Sequence, residues 1–304
     1  MELRIAQIDR IARRAGILLC GLLLLAGCTQ QAQPPRQLMA IPPVRVKIKS
    51  LNARAALLTK LRLTGDVNLT LTNHDGSTSS YQAHAVLLVD QNRVAHFLLV
   101  GTYLGQDAFE MGMNRRIYWL IDHEHKIAYV GRVDRESLLP SGVMPLRPQR
   151  ILDMLGITPV ILGGATRVAM FNVPRADRYN LLLMHSGGGG LDHIERQISI
   201  SRYTGQISRV RLYDRNGRAI AYADLSGYHP LGQAFRGVEV PLHIVINCLD
   251  ARAKMDMRVQ HATMKLPGKS QFIFASPSFQ GLNVVDIDRP ANWVPAPPSG
   301  AAAK

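Results

Sequence analysis

Between Leu61 and Leu71 every odd position is apolar or glycine and every even position is polar: Leu61-Arg-Leu-Thr-Gly-Asp-Val-Asn-Leu-Thr-Leu71. A period of two sustained over that length cannot be wrapped onto a helix of about 3.6 residues per turn, so the segment is a strand with one dry and one wet face. Asn73-His-Asp-Gly76 and the Ser/Thr run after it supply the turn that follows.

Strand patterns then recur at about 81–90, 93–101, 107–113, 115–122 and 126–133, joined by the short links Asp90-Gln-Asn92, Leu104-Gly105 and Asp122-His-Glu-His125. Links this short join antiparallel neighbours. Further strands are expected at 167–173, 178–185, 193–202, 207–214, 218–226, 239–247 and 254–265, with turns at Gly187–Gly190 and Asp214-Arg-Asn-Gly217. Two helices interrupt the series. One covers 47–60, with Leu51, Ala55 and Leu58 at helical spacing. The other covers 147–155, where Pro148 suits a first helical position and Gly156 ends the pattern. A meander with few helices allows a sandwich, a closed barrel or an open half-barrel. The alternation of Leu61–Leu71 favours a sheet with one solvated face. Two helices are too few to cover such a sheet and could plug its concave side.

The first thirty residues give the destination. Arg4, Arg10, Arg13 and Arg14 precede an apolar run from Ala15 to Ala26. A spanning helix needs roughly 20 apolar residues, so the run reads as the core of an export signal. It ends in Leu25-Ala26-Gly27-Cys28, which resembles the lipobox of bacterial lipoproteins. That resemblance implies cleavage before Cys28 and acylation of its thiol; the competing reading is a plain signal with an accidental cysteine. The expected organisation is a signal peptide at 1–27, a Pro-rich tether at 28–46, one β-rich domain at 47–288 and a disordered Pro/Ala tail at 289–304. Cys20 would leave with the signal and Cys28 would be acylated, which leaves Cys248 without a disulfide partner. The mature protein is then held at the cell envelope by its N-terminal lipid anchor, with the outer membrane facing the periplasm as the expected site.

The chain has 304 residues and a formal charge of +14. That balance favours anionic surfaces such as phospholipid headgroups, envelope polymers or nucleic acid. Nucleic acid is set aside: aromatic residues make up only 6% of the chain, too few for base-stacking platforms, and export removes the partner. Arg202, Arg209, Arg211, Arg215 and Arg218 recur between strand residues. They read either as the wet face of a hairpin or as a patch against anionic headgroups.

The lipobox, the Pro-rich tether, a short helix and Lys60-Leu-Arg-Leu-Thr-Gly65 at the head of a long meander together resemble the periplasmic lipoprotein-carrier superfamily, the LolA/LolB-like proteins. Phe109-Glu-Met-Gly-Met-Asn114, Ile117-Tyr-Trp-Leu120, Tyr129-Val-Gly131, Met144-Pro-Leu-Arg-Pro148 and Arg211-Leu-Tyr-Asp-Arg-Asn-Gly217 extend the resemblance over about 47 to 266. These are strand and turn patterns rather than catalytic signatures. The resemblance implies a mainly β fold, an open antiparallel half-barrel with a few capping helices and an apolar cavity for acyl chains. No residue maps onto the carrier's lid-locking arginine; Arg62 and Arg147 are candidates by position only.

Catalytic constellations are weak. Asp122-His-Glu-His125 gathers four metal-binding side chains, yet a tight turn cannot aim all four inward, and it reads as a solvated hairpin tip. Gly187–Gly190 lacks the Lys-Ser/Thr of a phosphate loop. His185, Ser186 and His193 come without a nucleophile elbow. Cys248 closes an apolar run and reads as a small buried hydrophobe. No cofactor or catalytic role is expected. The expected function is to bind or shuttle lipid or acylated protein, with Leu63, Val67, Leu69, Met111, Met113, Ile117 and Trp119 lining the cavity and Cys28 lipidated. The alternative is a structural or assembly lipoprotein that offers its sheet to a protein partner and has no ligand cavity.

Overall fold

The computed structural model describes residues 37–72, 78–92, 95–134, 147–164, 166–186, 192–232, 237–250 and 252–288. The signal segment, most of the tether, Cys28, Gly187–Gly190, the Asn73–Gly76 turn and the tail at 289–304 lie outside them.

Among the described residues fourteen strands form one sheet. The first meander comprises β1 (Lys60–Thr72), β2 (Thr78–Asp90), β3 (His96–Tyr103), β4 (Gln106–Met113), β5 (Ile117–Asp122) and β6 (Ile127–Arg132). The second comprises β7 (Thr166–Val173), β8 (Arg178–Ser186), β9 (Asp192–Ser201), β10 (Ile207–Tyr213), β11 (Ala219–Pro230), β12 (Glu239–Cys248) and β13 (Ala253–Thr263). A short β14 (Asn283–Asp286) ends the series. The order across the sheet is β14-β6-β5-β4-β3-β2-β1-β13-β12-β11-β10-β9-β8-β7. Two meanders thus run outward from a central β1–β13 seam, and β14 and β7 remain as edges, so the sheet is open. Every pairing is antiparallel except that of β14 with β6. Helices α1 (Val44–Leu57) and α2 (Pro148–Met154) follow the two helical expectations, and α3 (Ser270–Ile273) is a single turn.

The alternation read in β1 is the alternation of the sheet. Leu61, Leu63 and Val67 are buried and register against Val89, Leu87 and Ala83 of β2. Ile48 and Leu51 of α1 and Ile151, Leu152 and Met154 of α2 complete the same core, so both helices pack on this face. Arg62, Asp66 and Asn68 point the other way, where Asn68 accepts a bond from Ser80 and Asp66 accepts one from Gln260.

Helix α1 is displaced from its expected limits of 47–60. It starts at Val44, directly after Pro43, whose extended backbone lets the helix begin there. It ends at Leu57 because the β1–β2 ladder already claims Lys60 opposite Asp90. Upstream, the Met39 N–H donates to the Arg202 carbonyl at 2.7 Å.

A second, smaller core lies on the opposite face. Trp119, Ile121 and Ala128 are buried there beneath Phe279 and Leu282 of the C-terminal segment, which crosses this face before β14 joins β6. Glycine matters at Gly112, directly opposite Trp119 in the β4–β5 ladder. A Cβ at that position would overlap the indole ring. Gly112→Ala should therefore cost about 2 kcal/mol, as overpacking of a filled site does, and red-shift the tryptophan emission. An unshifted spectrum with an unchanged melting point would show that the indole does not rest on Gly112.

Candidate functional site

The side chains that could have formed a catalytic site are otherwise engaged. Asp122 accepts the His125 N–H at 2.9 Å and pairs with His125 Nδ1 at 2.8 Å, so its carboxylate organises the β5–β6 turn. Among the described residues no three His, Cys, Asp or Glu side chains assemble around a common point. Ser186 Oγ donates to Asp192 at 2.5 Å, while His185 and His193 face each other across the β8–β9 ladder. Cys248 is buried in the core, and burial pushes its thiol up to about 12, far from a reactive thiolate. The recurring arginines are largely used internally. Arg209 forms two bonds to Asp224, at 2.5 and 2.8 Å, and lies over the Tyr222 ring. Arg218 reaches Asp214 and Asp250, and Arg202 bonds the Met39 carbonyl.

A cleft of about 920 Å³ opens at one end of the sheet. Pockets for small ligands run from about 300 to 1,000 Å³. Its wall is built from strand ends: Val67 and Leu69 of β1, Ala83 of β2, Phe109 and Met111 of β4, Leu120 of β5, Tyr129 of β6 and Met255 of β13. All belong to the helix-bearing face, yet no residue of α1 or α2 lines the cleft. The helices fill the far part of the half-barrel and leave this end unplugged. The β3–β4 turn stands beside the mouth. Tyr103, itself a lining residue, is 58% exposed, and Leu104 is 86% exposed at φ 50°. Leucine in that left-handed conformation costs roughly 1–2 kcal/mol, so the hairpin holds an apolar tip in solvent at a local energetic penalty. His123 also lines the cleft, and its Nε2 is buried without a hydrogen-bond partner.

The seven expected cavity residues divide three ways. Val67, Leu69 and Met111 line the cleft. Leu63 and Met113 share its face but lie in the closed core with the helices. Ile117 and Trp119 belong to the opposite core, and the Trp119 N–H donates to Glu110 at 2.7 Å on that side. The reason is register. Met111 faces Leu120, Gly112 faces Trp119 and Met113 faces Tyr118, so the even-numbered residues of β5 accompany the odd-numbered residues of β4. The lining residues that the sequence reading missed include Ala83, Tyr103, Phe109, Leu120, Tyr129 and Met255. Phe109 alone carried a usable signal, since it shares the parity of Met111.

A different arginine from the two positional candidates ties the helices to the sheet. Arg62 lies on the outer face with its Nε unpartnered, and Arg147 stacks over Tyr118 at 5.4 Å. Arg54 of α1 donates to the carbonyls of Gly156, at 3.1 Å, and Glu239, at 3.3 Å, and lies over the Tyr228 ring at 5.6 Å. Asn52 adds a two-way bond to the backbone of Val160, at 2.9 and 2.7 Å. From α2, Asp153 pairs with Arg196 of β9 at 3.1 Å.

No protein-family model matches the sequence, and no curated protein matches it either. Solved structures do match. One, from Vibrio parahaemolyticus, is described as an outer membrane lipoprotein-sorting protein domain; it aligns at TM-score 0.50 with 11% identity, over 74% of this chain and 94% of that one. A DUF1329 family protein from Desulfovibrio piger aligns at TM-score 0.50 with 11% identity, over 76% and 97% of the two chains. A LolA superfamily protein from Nitrosomonas europaea aligns at 0.46 with 10% identity, over 75% and 97%. At such identities the likeness is one of fold. An open sheet bearing two helices on one face, matched over nearly the full length of a lipoprotein-sorting domain, is the LolA-like half-barrel, and that is the fold of this chain.

Proposed function

We propose that this protein binds the acyl part of a lipid or of an acylated polypeptide in the cleft at the open end of its half-barrel. The observation that carries the reading is the unplugged cavity of about 920 Å³ walled by Val67, Leu69, Phe109, Met111, Leu120 and Met255. Apolar walls favour an acyl chain by about 0.8 kcal/mol per buried methylene. The unbranched methionine side chains adapt to chains of different shape. The exposed Tyr103-Leu104 tip beside the mouth suits delivery from a lipid surface. The proposed role is binding or transfer rather than catalysis; the Vibrio parahaemolyticus structure that shares the fold is described as a lipoprotein-sorting protein domain.

The test is native mass spectrometry of the purified protein for co-purified lipid, together with binding of the neutral dye N-phenyl-1-naphthylamine. Met111→Trp should fill the cleft and weaken dye binding at least about tenfold, while the melting temperature moves by only a few degrees, since the added ring enters existing space. A protein without bound lipid or dye affinity would favour the structural or assembly role with a protein partner. Trp119 cannot serve as the reporter, because its ring lies on the other face.

The same reading places the protein in the bacterial envelope, exported by residues 1–27 and anchored through Cys28, with the periplasmic side of the outer membrane as its site. One chain anchors only marginally, and two or more hold a protein stably on the membrane. Cys28→Ala should abolish incorporation of labelled palmitate and shift the protein from the membrane to the soluble fraction or to an unprocessed form. Persistent labelling would end the lipobox reading.

A further inference from the structure

The charge at the mouth of the cleft is opposite to that of the chain. The protein carries +14 overall, yet among the described residues the carboxylates Asp107, Asp122 and Glu124 line the cleft and no lysine or arginine does. Asp107 and Glu124 are exposed, and neither forms an ion pair among the described residues. Asp122 is fixed in place by His125. Its field reaches the lining: the Tyr129 phenol is held above its ordinary range, first by burial and then by the Asp122 charge.

These carboxylates only accept hydrogen bonds. A carboxylate or phosphate head entering beside an acyl chain would meet three like charges, with only the His123 imidazole among the described lining residues to offset them. A head with N–H or O–H groups would instead find acceptors already positioned. We infer that the cleft selects chains whose head is neutral or cationic and donates hydrogen bonds, such as an amine, a hydroxyl or an amide, and discriminates against free fatty acids and anionic phospholipids. This rests on the lipid-binding reading above and specifies its ligand. It also separates two roles of charge: the net positive charge of the chain can favour an anionic membrane while the acidic mouth refuses the anionic lipids of that membrane.

The experiment is displacement of N-phenyl-1-naphthylamine from the full chain by dodecylamine, monolaurin and laurate, which share one chain length, each below its micellar concentration. Dodecylamine and monolaurin should displace the dye at concentrations at least about tenfold below laurate. Added salt should narrow the gap between amine and laurate while leaving monolaurin unchanged. The double variant Asp107→Asn/Glu124→Gln should bind laurate several-fold more tightly and keep its affinity for monolaurin. Equal displacement by all three, or laurate as the strongest, overturns head-group selection and leaves lipid binding standing. Failure of the dye and of every amphiphile to bind overturns both.

Discussion

Leu63→Asp should lower the melting temperature by roughly 10 °C, while Asn68→Asp, five residues along the same strand, should leave it nearly unchanged. Leu63 is 1% exposed, lies between Leu87 and Ala262 in the ladder, and belongs to the core that contains both helices. The substitution forfeits about 2 kcal/mol of side-chain burial and adds a carboxylate that must stay neutral or unpaired in an apolar setting. A total of about 4 kcal/mol at roughly 2–4 °C per kcal/mol gives the expected shift. Asn68 lies on the opposite, wet face and accepts a bond from Ser80 Oγ at 2.7 Å, which an aspartate retains. Its ladder neighbour Asp256 adds a like-charge repulsion of less than about 1 kcal/mol. Thermal melts followed by circular dichroism compare the two. Shifts of equal size would mean that the two faces of β1 have been misassigned.

Much of this architecture is legible in the sequence, because strand and turn are local properties. Alternation marks β1, and Leu104-Gly105 and Asp214-Arg-Asn-Gly217 mark turns at the sites where the chain reverses. β14 escaped because four residues, Asn283-Val-Val-Asp286, cannot establish a period, and their strand character comes from the edge of β6. The cleft was legible only within strands. Met111 and Trp119 are each apolar at odd positions, but whether two neighbouring strands agree in parity depends on their register, and the turn at 114–116 sets Met113 opposite Tyr118. Charge was the least legible property. The arginines at 209 and 218 look like a free basic patch until Asp224, Asp214 and Asp250 are brought beside them. The acidic mouth, in turn, is assembled from residues in or beside two separate turns within a basic chain.

Arg54→Ala should release α1 from the sheet without unfolding the β1–β13 seam. The residue gave no signal in sequence, because its acceptors, Gly156 and Glu239, lie 102 and 185 positions away. Hydrogen bonds from a charged donor are worth about 1.5–3 kcal/mol when buried, and these two are only partly buried. With the lost stacking on Tyr228, about 3 kcal/mol of local stability should disappear. Part is returned at Lys47, whose ammonium is held below its ordinary range by burial and then by the Arg54 charge, and which would be relieved of that neighbour. Hydrogen exchange should therefore accelerate roughly a hundredfold in 44–57 and 155–160, with little change in the paired strands β1, β2 and β13. Lysine at position 54 should rescue only partly, since a single ammonium cannot span two carbonyls and an aromatic face as a guanidinium does. Asn52→Ala removes the two bonds to Val160 and should loosen the same segments. Unchanged exchange in 44–57 in both variants would mean that apolar packing of Ile48, Leu51 and Ala55 alone holds the helix. In that case the polar ties do not control how far α1 can move from the half-barrel it plugs.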